Sequence, residues 1–419
     1  SQCIVQQTNK MAGGLMQLVA YGAQDVYLTG NPKVTFFQAV YKRHTNFAME
    51  NIEQTVNGTA ANNGRVSVTV ARNGDLIADM YVELKTSSAA GISTDAWVAE
   101  RAIKDVELSI GGQRIDKHYQ KWWRLYSELY LDESRKLNYG KMTSGIVSAK
   151  AVYLPLIFFF NRNPGLALPL IALQYHEVRL DFDLSAEFAT YTDGSTFKVW
   201  GNYIYLDTEE RRRFAQKGHE YLIEQVQHTG TDSVTVGSEN QKRLSYNHPV
   251  KELVWCLDEG GTDFANAWNF TTTDITVTSN ISQAVFDSNC FAAPSTAGAP
   301  MLLQEGTQWD EETVGALDTF KLVLNGQDRF KEQSGKYFNQ VQPFVHHSGS
   351  PMPGVYSYSF ALKPEEHQPT GTCNFSRIDN AQVSIKPKSG ARNDTLHMFA
   401  TNYNVLRIQS GMGGLAFSN

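Results

Sequence analysis

Residues 109–119 read SIGGQRIDKHY, and residues 323–338 read VLNGQDRFKEQSGKYF. Each ends an alternating apolar strand, turns at Gly-Gln, passes an arginine and closes on aromatics. On both sides of these two stretches the same order recurs. NIEQTVNG (51–58) meets LIEQVQHTG (222–230), and RVSV (65–68) meets RLSY (243–246). ELSIGGQR (107–114) meets KLVLNGQDR (321–329), and VYLPLIFFFNRNPG (152–165) meets VYSYSFALKPEEHQPTG (355–371). VRLDFDL (178–184) resembles AQVSIKP (381–387), and WGNYIYL (200–206) meets ATNYNVL (400–406). A period of about 200 residues is far too long for a solenoid repeat. The reading is a duplicated domain in which only loops differ in length.

The repeated unit is built of strands. Val66, Val68 and Val70 alternate with polar or small residues, and Arg72–Asp75 (RNGD) carries an Asn-Gly hairpin signal before the alternating run Leu76–Leu84. Val106, Leu108 and Ile110 form the next strand. Ile115, Tyr119, Trp122, Tyr126 and Leu129 recur at spacings of four and three, which predicts an amphipathic helix with Asp116 as its N-cap. YLPLIFFF (153–160) reads as a buried strand, and PGLALPLIALQY (164–175) as a loop with a helical turn. Val178, Leu180, Phe182 and Leu184 alternate with Arg179, Asp181 and Asp183, which are placed on the solvated face. Strands dominate and helices do not alternate with them, which excludes a doubly wound parallel sheet and favours an all-β sandwich.

The domain plan follows. Residues 1–28 form an N-terminal segment, 29–210 a first sandwich, 211–220 a charged linker and 221–419 a second sandwich. The second carries a polar insert over 258–312 that is expected to be exposed and irregular. Within residues 12–28, Leu15, Leu18 and Val19 share one helical face, on a stretch too short to be stable alone.

Bulk properties narrow the function. The chain has 419 residues and a net charge of −6, which is not the basic footprint of a nucleic-acid binder. Arg211-Arg212-Arg213 follows Glu209 and Glu210, so it reads as a solvated segment or a contact for an acidic partner. Cys3, Cys256, Cys290 and Cys373 form no CxxC pair and are expected as free thiols. Ser1 reads as a start left by Met removal. The longest apolar run, 152–160, is far below the ~20 residues of a membrane span.

No catalytic constellation stands out: GxSxG, P-loop, HExxH and GxGxxG are all missing from the sequence. His346-His347 has no carboxylate near it in sequence and reads as a surface loop. No cofactor and no metal is expected. Trp122, Trp123, Tyr126 and Tyr130 form a helical aromatic stripe suited to core, interdomain or subunit packing, with ligand stacking a further alternative. Sequons occur at Asn57, Asn269, Asn280, Asn374 and Asn393. Asn269 and Asn280, in the polar insert, are the better glycan candidates, and Asn374, beside Phe375, is expected to be inaccessible.

Long stretches carry a family resemblance: residues 11–37, ARNGDLI, DVELSIGGQRIDKHY, PLIFFFNRNPGLALPLIALQYHEVRL, LNGQDRF, GTCNFSRIDNA and NYNVLRIQSGMGGLAF. Together they resemble the major capsid protein of large icosahedral double-stranded DNA viruses, most of all the chlorella-virus type. The resemblance implies two tandem eight-stranded antiparallel jelly-roll sandwiches, a double jelly roll with short inserted helices. It implies a structural virion protein without catalysis, forming a homotrimer that is a pseudo-hexagonal capsomer of the outer capsid, assembled in the host cytoplasm. Its partners would be neighbouring capsomers, minor capsid proteins and the internal membrane side, with covalent glycans and no direct nucleic acid. Leu15, Leu18 and Val19 would then anchor the inner face, unless they strap the chain's own first domain. The reading from another class is a carbohydrate-binding jelly-roll surface protein, and a further one is a glycan-processing enzyme.

Overall fold

A computed structural model describes residues 13–87, 97–143, 150–259, 270–272 and 311–418. Ser1–Thr45 forms one unit and Asn46–Asn419 another. In the first, the short helices Gly13–Val19 and Val26–Thr29 bury no residue.

In the second unit, the strands are first β1 (Phe47–Glu53), β2 (Val56–Gly58), β3 (Arg65–Thr69), β4 (Leu76–Thr86), β5 (Ile103–Ile110), β6 (Gln113–Tyr119), β7 (Ala151–Pro155), β8 (Val178–Leu184) and β9 (Thr192–Leu206). They make two antiparallel sheets, β1-β9-β4-β7 and β2-β3-β8-β5-β6. Then follow β10 (His219–Ser233), β11 (Asn240–Leu244), β12 (Pro249–Asp258), β13 (Leu317–Leu324), β14 (Gln327–Asp328), β15 (Gln333–Ser334), β16 (Val355–Ser359), β17 (Cys373–Asn374), β18 (Ala381–Pro387), β19 (Thr395–Gln409) and β20 (Met412–Leu415). Their sheets run β10-β19-β12-β16 and β11-β18-β13-β14, with β15, β17 and β20 attached at the sides. Replacing β1, β9, β4 and β7 by β10, β19, β12 and β16 converts one order into the other. The same holds for β3-β8-β5 and β11-β18-β13. The duplication read from the sequence is therefore a duplication of topology, and the fold is a double jelly roll.

Each jelly roll closes around aromatic contacts between its two sheets. Phe182 on β8 meets Phe197 on β9 edge-on at 5.4 Å. Trp255 on β12 stacks on Phe320 of β13 at 4.2 Å. Truncating a buried ring of this kind to alanine costs about 3–5 kcal/mol, because the cavity it leaves collapses only in part. The two motif hairpins also match. Gly111 and Gly112 at β5–β6 have φ of 58° and 83°, and Asn325 and Gly326 at β13–β14 have 50° and 80°. Positive φ at both turn residues suits the strand twist, and Gly or Asn adopts it at low cost.

Several local expectations are corrected. Arg72–Asp75 is not a hairpin, because β3 pairs with β2 and β8 while β4 pairs with β9 and β7. The turn carries the chain from one sheet to the other. Arg72 donates to the carbonyls of Gln174 and His176 at 2.9 and 3.0 Å, and a Cβ on Gly74 would lie 2.8 Å from that of Tyr203. The helix starts at Gln120, with Tyr119 rather than Asp116 as N-cap. Ile115 and Tyr119 belong to β6, since a spacing of four satisfies strand alternation as well as a helix. The strand in YLPLIFFF stops at Pro155, and Phe159–Arg162 is a helical turn. Asp181 is buried rather than solvated, held by Ser67, Arg179 and Arg65. In the matched stretches NYIYL and NYNVL, Tyr203 fills the first core while Tyr403 lies against Lys251, so the match there holds for strands and not for side-chain environments.

Candidate functional site

The most elaborate chemistry of the described residues lies in the joint between the two jelly rolls. It is built on β12, which is buried along nearly its whole length on both faces. Leu253, Trp255 and Leu257 point into the second jelly roll's own core, while Val254 and Cys256 belong to the apolar cluster of the first. A strand apolar on both faces is what a sheet covered on both sides requires.

The helix Gln120–Leu129 covers that outward face. Trp122 meets Phe399 of β19 at 5.7 Å, and Tyr126 stacks on Tyr130 at 4.8 Å. Trp122 and Trp123 are buried, and Tyr126 is half-buried. Of the aromatic stripe read from the sequence, Trp122 and Tyr130 meet the second jelly roll.

Charge is sealed around this apolar contact. Tyr130 donates to Glu252 Oε2 at 2.5 Å, and His347 Nε2 donates to Glu252 Oε1. The other ring nitrogen of His347 lies 3.2 Å from Glu365 Oε1, which also accepts the Ser348 amide at 2.8 Å. His347 is therefore not a surface residue. Its imidazole is enclosed between carboxylates contributed by distant segments. Burial disfavours its charge, but Glu252 and Glu365 outweigh that and push its pKa up to about 9. Glu365 is held below the usual carboxylate range, its burial outweighed by the bond to His347.

A second centre sits on β10. Glu224 accepts from Lys251 at 2.6 Å and from Arg162 of the first jelly roll at 2.7 Å. Burial raises its pKa, yet Arg162, His367 and Lys251 together hold the carboxyl well below its ordinary value. At a third point, Lys121 meets Asp258 at 2.5 Å and His397 approaches the same carboxylate at 3.2 Å. Burial desolvates His228 and depresses it to about 4, with His397 adding to the effect.

Backbone contacts complete the joint. Val226 donates to Asp116 at 3.1 Å, and Met352 donates to Glu128 at 3.1 Å. Gly349 donates to the Leu129 carbonyl at 3.3 Å. The C-terminal strand β20 reaches back as well. Gly413 donates to His176 at 3.1 Å, and Leu415 to Gln113 at 3.1 Å. Such an arrangement can hold two sandwiches rigidly side by side. Among the described residues no group of His, Cys, Asp and Glu is placed to hold a metal ion.

The other sequence candidates are scattered. Leu15, Leu18 and Val19 are exposed on the helix Gly13–Val19. Asn57 is exposed on β2, whereas Asn269 and Asn280 lie outside the described residues, as does most of the polar insert. Asn393 is corrected as a glycan candidate: it is fully buried, and its amide donates to the Leu257 carbonyl at 3.0 Å. Asn374 is exposed, contrary to expectation. Arg211 pairs with Asp75 at 2.9 Å on the helix Thr208–Gln216. Cys256 and Cys373 are free thiols, and Cys3 and Cys290 lie outside the described residues. Sequence reasoning missed Glu252, Glu365, Glu224 and Lys251. The one available signal was a charged pair inside the apolar run of β12.

Comparison with known proteins fits this architecture. A family model described as large eukaryotic DNA virus major capsid protein matches residues 210–414, and one described as major capsid protein N-terminus matches 35–207. The major capsid protein of Paramecium bursaria Chlorella virus 1 is 47% identical, covering 98% of this chain and all of that protein. The major capsid protein of Pyramimonas orientalis virus is 42% identical over the same shares. The crystal structure of PBCV-1 VP54 superposes with a TM-score of 0.77 at 42% identity, covering 92% of this chain and all of the other. The Faustovirus major capsid protein shares the fold at a TM-score of 0.67 and 12% identity, covering 94% of this chain and 96% of the other. The chain belongs to the family of large eukaryotic DNA virus major capsid proteins, and its work in the virus capsid is structural rather than enzymatic.

Proposed function

We propose that the chain assembles as a homotrimer, a pseudo-hexagonal capsomer that tiles the outer capsid of an icosahedral virion. The observation that carries this reading is the shared strand order of two jelly rolls fastened in one body. Three chains with two like lobes each give a six-lobed outline from three-fold symmetry, and such an outline packs a flat facet. The buried charges at the joint favour a rigid lobe pair, since moving the lobes apart would take Arg162 from Glu224 and Tyr130 from Glu252.

In this reading residues 1–28 form the inner-face anchor, with Leu15, Leu18 and Val19 meeting minor capsid proteins or the membrane side. Neighbouring capsomers meet along the outer walls, and Asn57 is a candidate glycan position. Assembly takes place in the host cytoplasm.

Native mass spectrometry of the purified chain tests the trimer. The expected species lies near 140 kDa, three times the chain's 46.8 kDa, plus any glycan. A monomer that persists at high concentration would overturn the tile.

A further inference from the structure

His347 and His228 both lie in the joint, and their surroundings favour opposite charge states. His347 sits between Glu252 and Glu365, which outweigh its burial and keep it charged at neutral pH. His228 stands on β10 where the β10–β19 register shifts between His228 and Thr231, with Gly230 at a φ of 104°. A bulge of this kind re-aims a side chain. The imidazole stacks on Phe399 of β19 at 4.4 Å and meets Tyr119 of β6 at 4.8 Å, so one ring touches both jelly rolls. Its Nε2 is buried and has no hydrogen-bond partner among the described residues. Burial, with His397 adding to it, holds the ring neutral down to about pH 4.

The charges facing this ring balance only while it is neutral. On β19, His397 stacks against it at 5.9 Å. On β12, Asp258 is already engaged by Lys121 of the helix Gln120–Leu129 at 2.5 Å and by His397 at 3.2 Å. On β6, Lys117 lies 5.3 Å from the Tyr119 ring centre and 3.7 Å from Asp105. Asp116 accepts the Val226 amide at 3.1 Å and pairs with His118 at 2.9 Å. A proton on His228 therefore adds a cation beside His397 and Lys121, with Asp258 as their shared anion. Asp105 works in the same direction. Burial and its bond to Asp183 raise it to about 6, so in acid it no longer offsets Lys117.

The other side of the joint behaves differently. Glu252 precedes Asp258 by six residues on β12, about 20 Å along the strand. Glu224, despite its burial, is held well below the ordinary carboxylate range by Arg162, His367 and Lys251. Its ion pairs persist where the balance around His228 fails.

We infer that His228, with Tyr119 and Phe399, is an acid-sensitive clasp between the two jelly rolls, which opens when the imidazole takes a proton while the Glu224 and Glu252 side stays closed. Opening wets the ring and returns it towards the ~6.5 of a free histidine. The clasp's contribution is thus present above ~6.5 and is lost as pH falls to about 4. Between pH 6 and pH 4 the ratio of open to closed clasp should rise roughly fortyfold.

Hydrogen exchange of the full chain at pH 6 and pH 4, corrected for the intrinsic pH dependence of exchange, tests it. Peptides covering β6 and residues 225–233 should lose protection by tens of fold. Residues 349–352, whose amides bond Leu129 and Glu128 across the joint, should keep theirs. His228→Phe retains a ring that cannot take a proton, and its loss of protection should disappear. His228→Gln repeats the test without a ring, and circular dichroism at pH 7 shows which variant has kept the fold. Unchanged protection in the wild type at pH 4 would overturn the clasp. So would a loss that persists in the folded variants, or an equal loss at 349–352.

Discussion

The hydroxyl of Tyr130 donates a 2.5 Å hydrogen bond to Glu252 across the joint between the two jelly rolls. The same carboxylate accepts from His347, so one buried glutamate serves both halves of the fold. A hydrogen bond to a buried charge is worth more than a neutral one, and its loss leaves that charge with one partner fewer. Tyr130→Phe should therefore lower stability by about 1–3 kcal/mol. Urea unfolding would show it, and an unchanged midpoint would mean that the joint does not depend on this contact.

The pH dependence has a definite sign. His347 has its folded pKa raised to about 9, above the ~6.5 of an unfolded histidine. Its contribution is fully present below the unfolded value and is lost as pH rises through about 9. Glu365 is lowered, so its contribution is present above the ordinary carboxylate range and fades as pH falls through its folded value. The stability gap between wild type and His347→Gln should accordingly shrink between about pH 6 and about pH 10. Denaturant titrations at the two pH values would measure it, and a gap that widened with pH would contradict the assignment.

Gly349 is a position where only glycine fits. A Cβ there would lie 2.6 Å from the carbonyl oxygens of Glu128 and Leu131 and 3.0 Å from that of Leu129. Gly349→Ala should force the loop off the helix end and cost about 1–3 kcal/mol. Gly140, in the helix Glu133–Thr143, has nothing within 4 Å of a would-be Cβ. Gly140→Ala should be neutral or stabilising by up to about 1 kcal/mol. Thermal unfolding of the two variants, run side by side, separates close approach from a general glycine effect.

Glu224 is held by Lys251 and Arg162. Removing one partner of a buried ion pair typically costs about 3–5 kcal/mol, because the remaining charge is left uncompensated. Lys251→Met should fall towards the lower end, since Arg162 remains. Adding Glu224→Gln should recover part of the loss. A double variant less stable than Lys251→Met would show that the carboxylate has other work.

The buried state of Asn393 bears on modification. Its side chain has no exposed surface and is bonded to Leu257. Peptide mass mapping of the folded chain should find Asn393 unmodified. A glycan there would require the Thr395–Gln409 strand to sit differently.

Much of the fold was legible because it was written twice. The matched stretches fall on corresponding strands in both jelly rolls, and hairpin chemistry at Gly111-Gly112 and Asn325-Gly326 is local. The Asn-Gly of Arg72–Asp75 misled for the same reason: a turn signal reports a bend, not which sheet receives the next strand. Ile115 and Tyr119 misled because a spacing of four fits a strand as well as a helix.

The all-β class, the duplication and the family are thus written along the chain, since they rest on periodicity, turn chemistry and long matched runs. That His347 is buried between Glu252 and Glu365, that Glu224 is shared between lobes and that Asn393 is closed emerges once the chain has folded. Those partners are far apart along the chain, and their ionisation depends on which groups the fold brings within hydrogen-bond reach and shields from water.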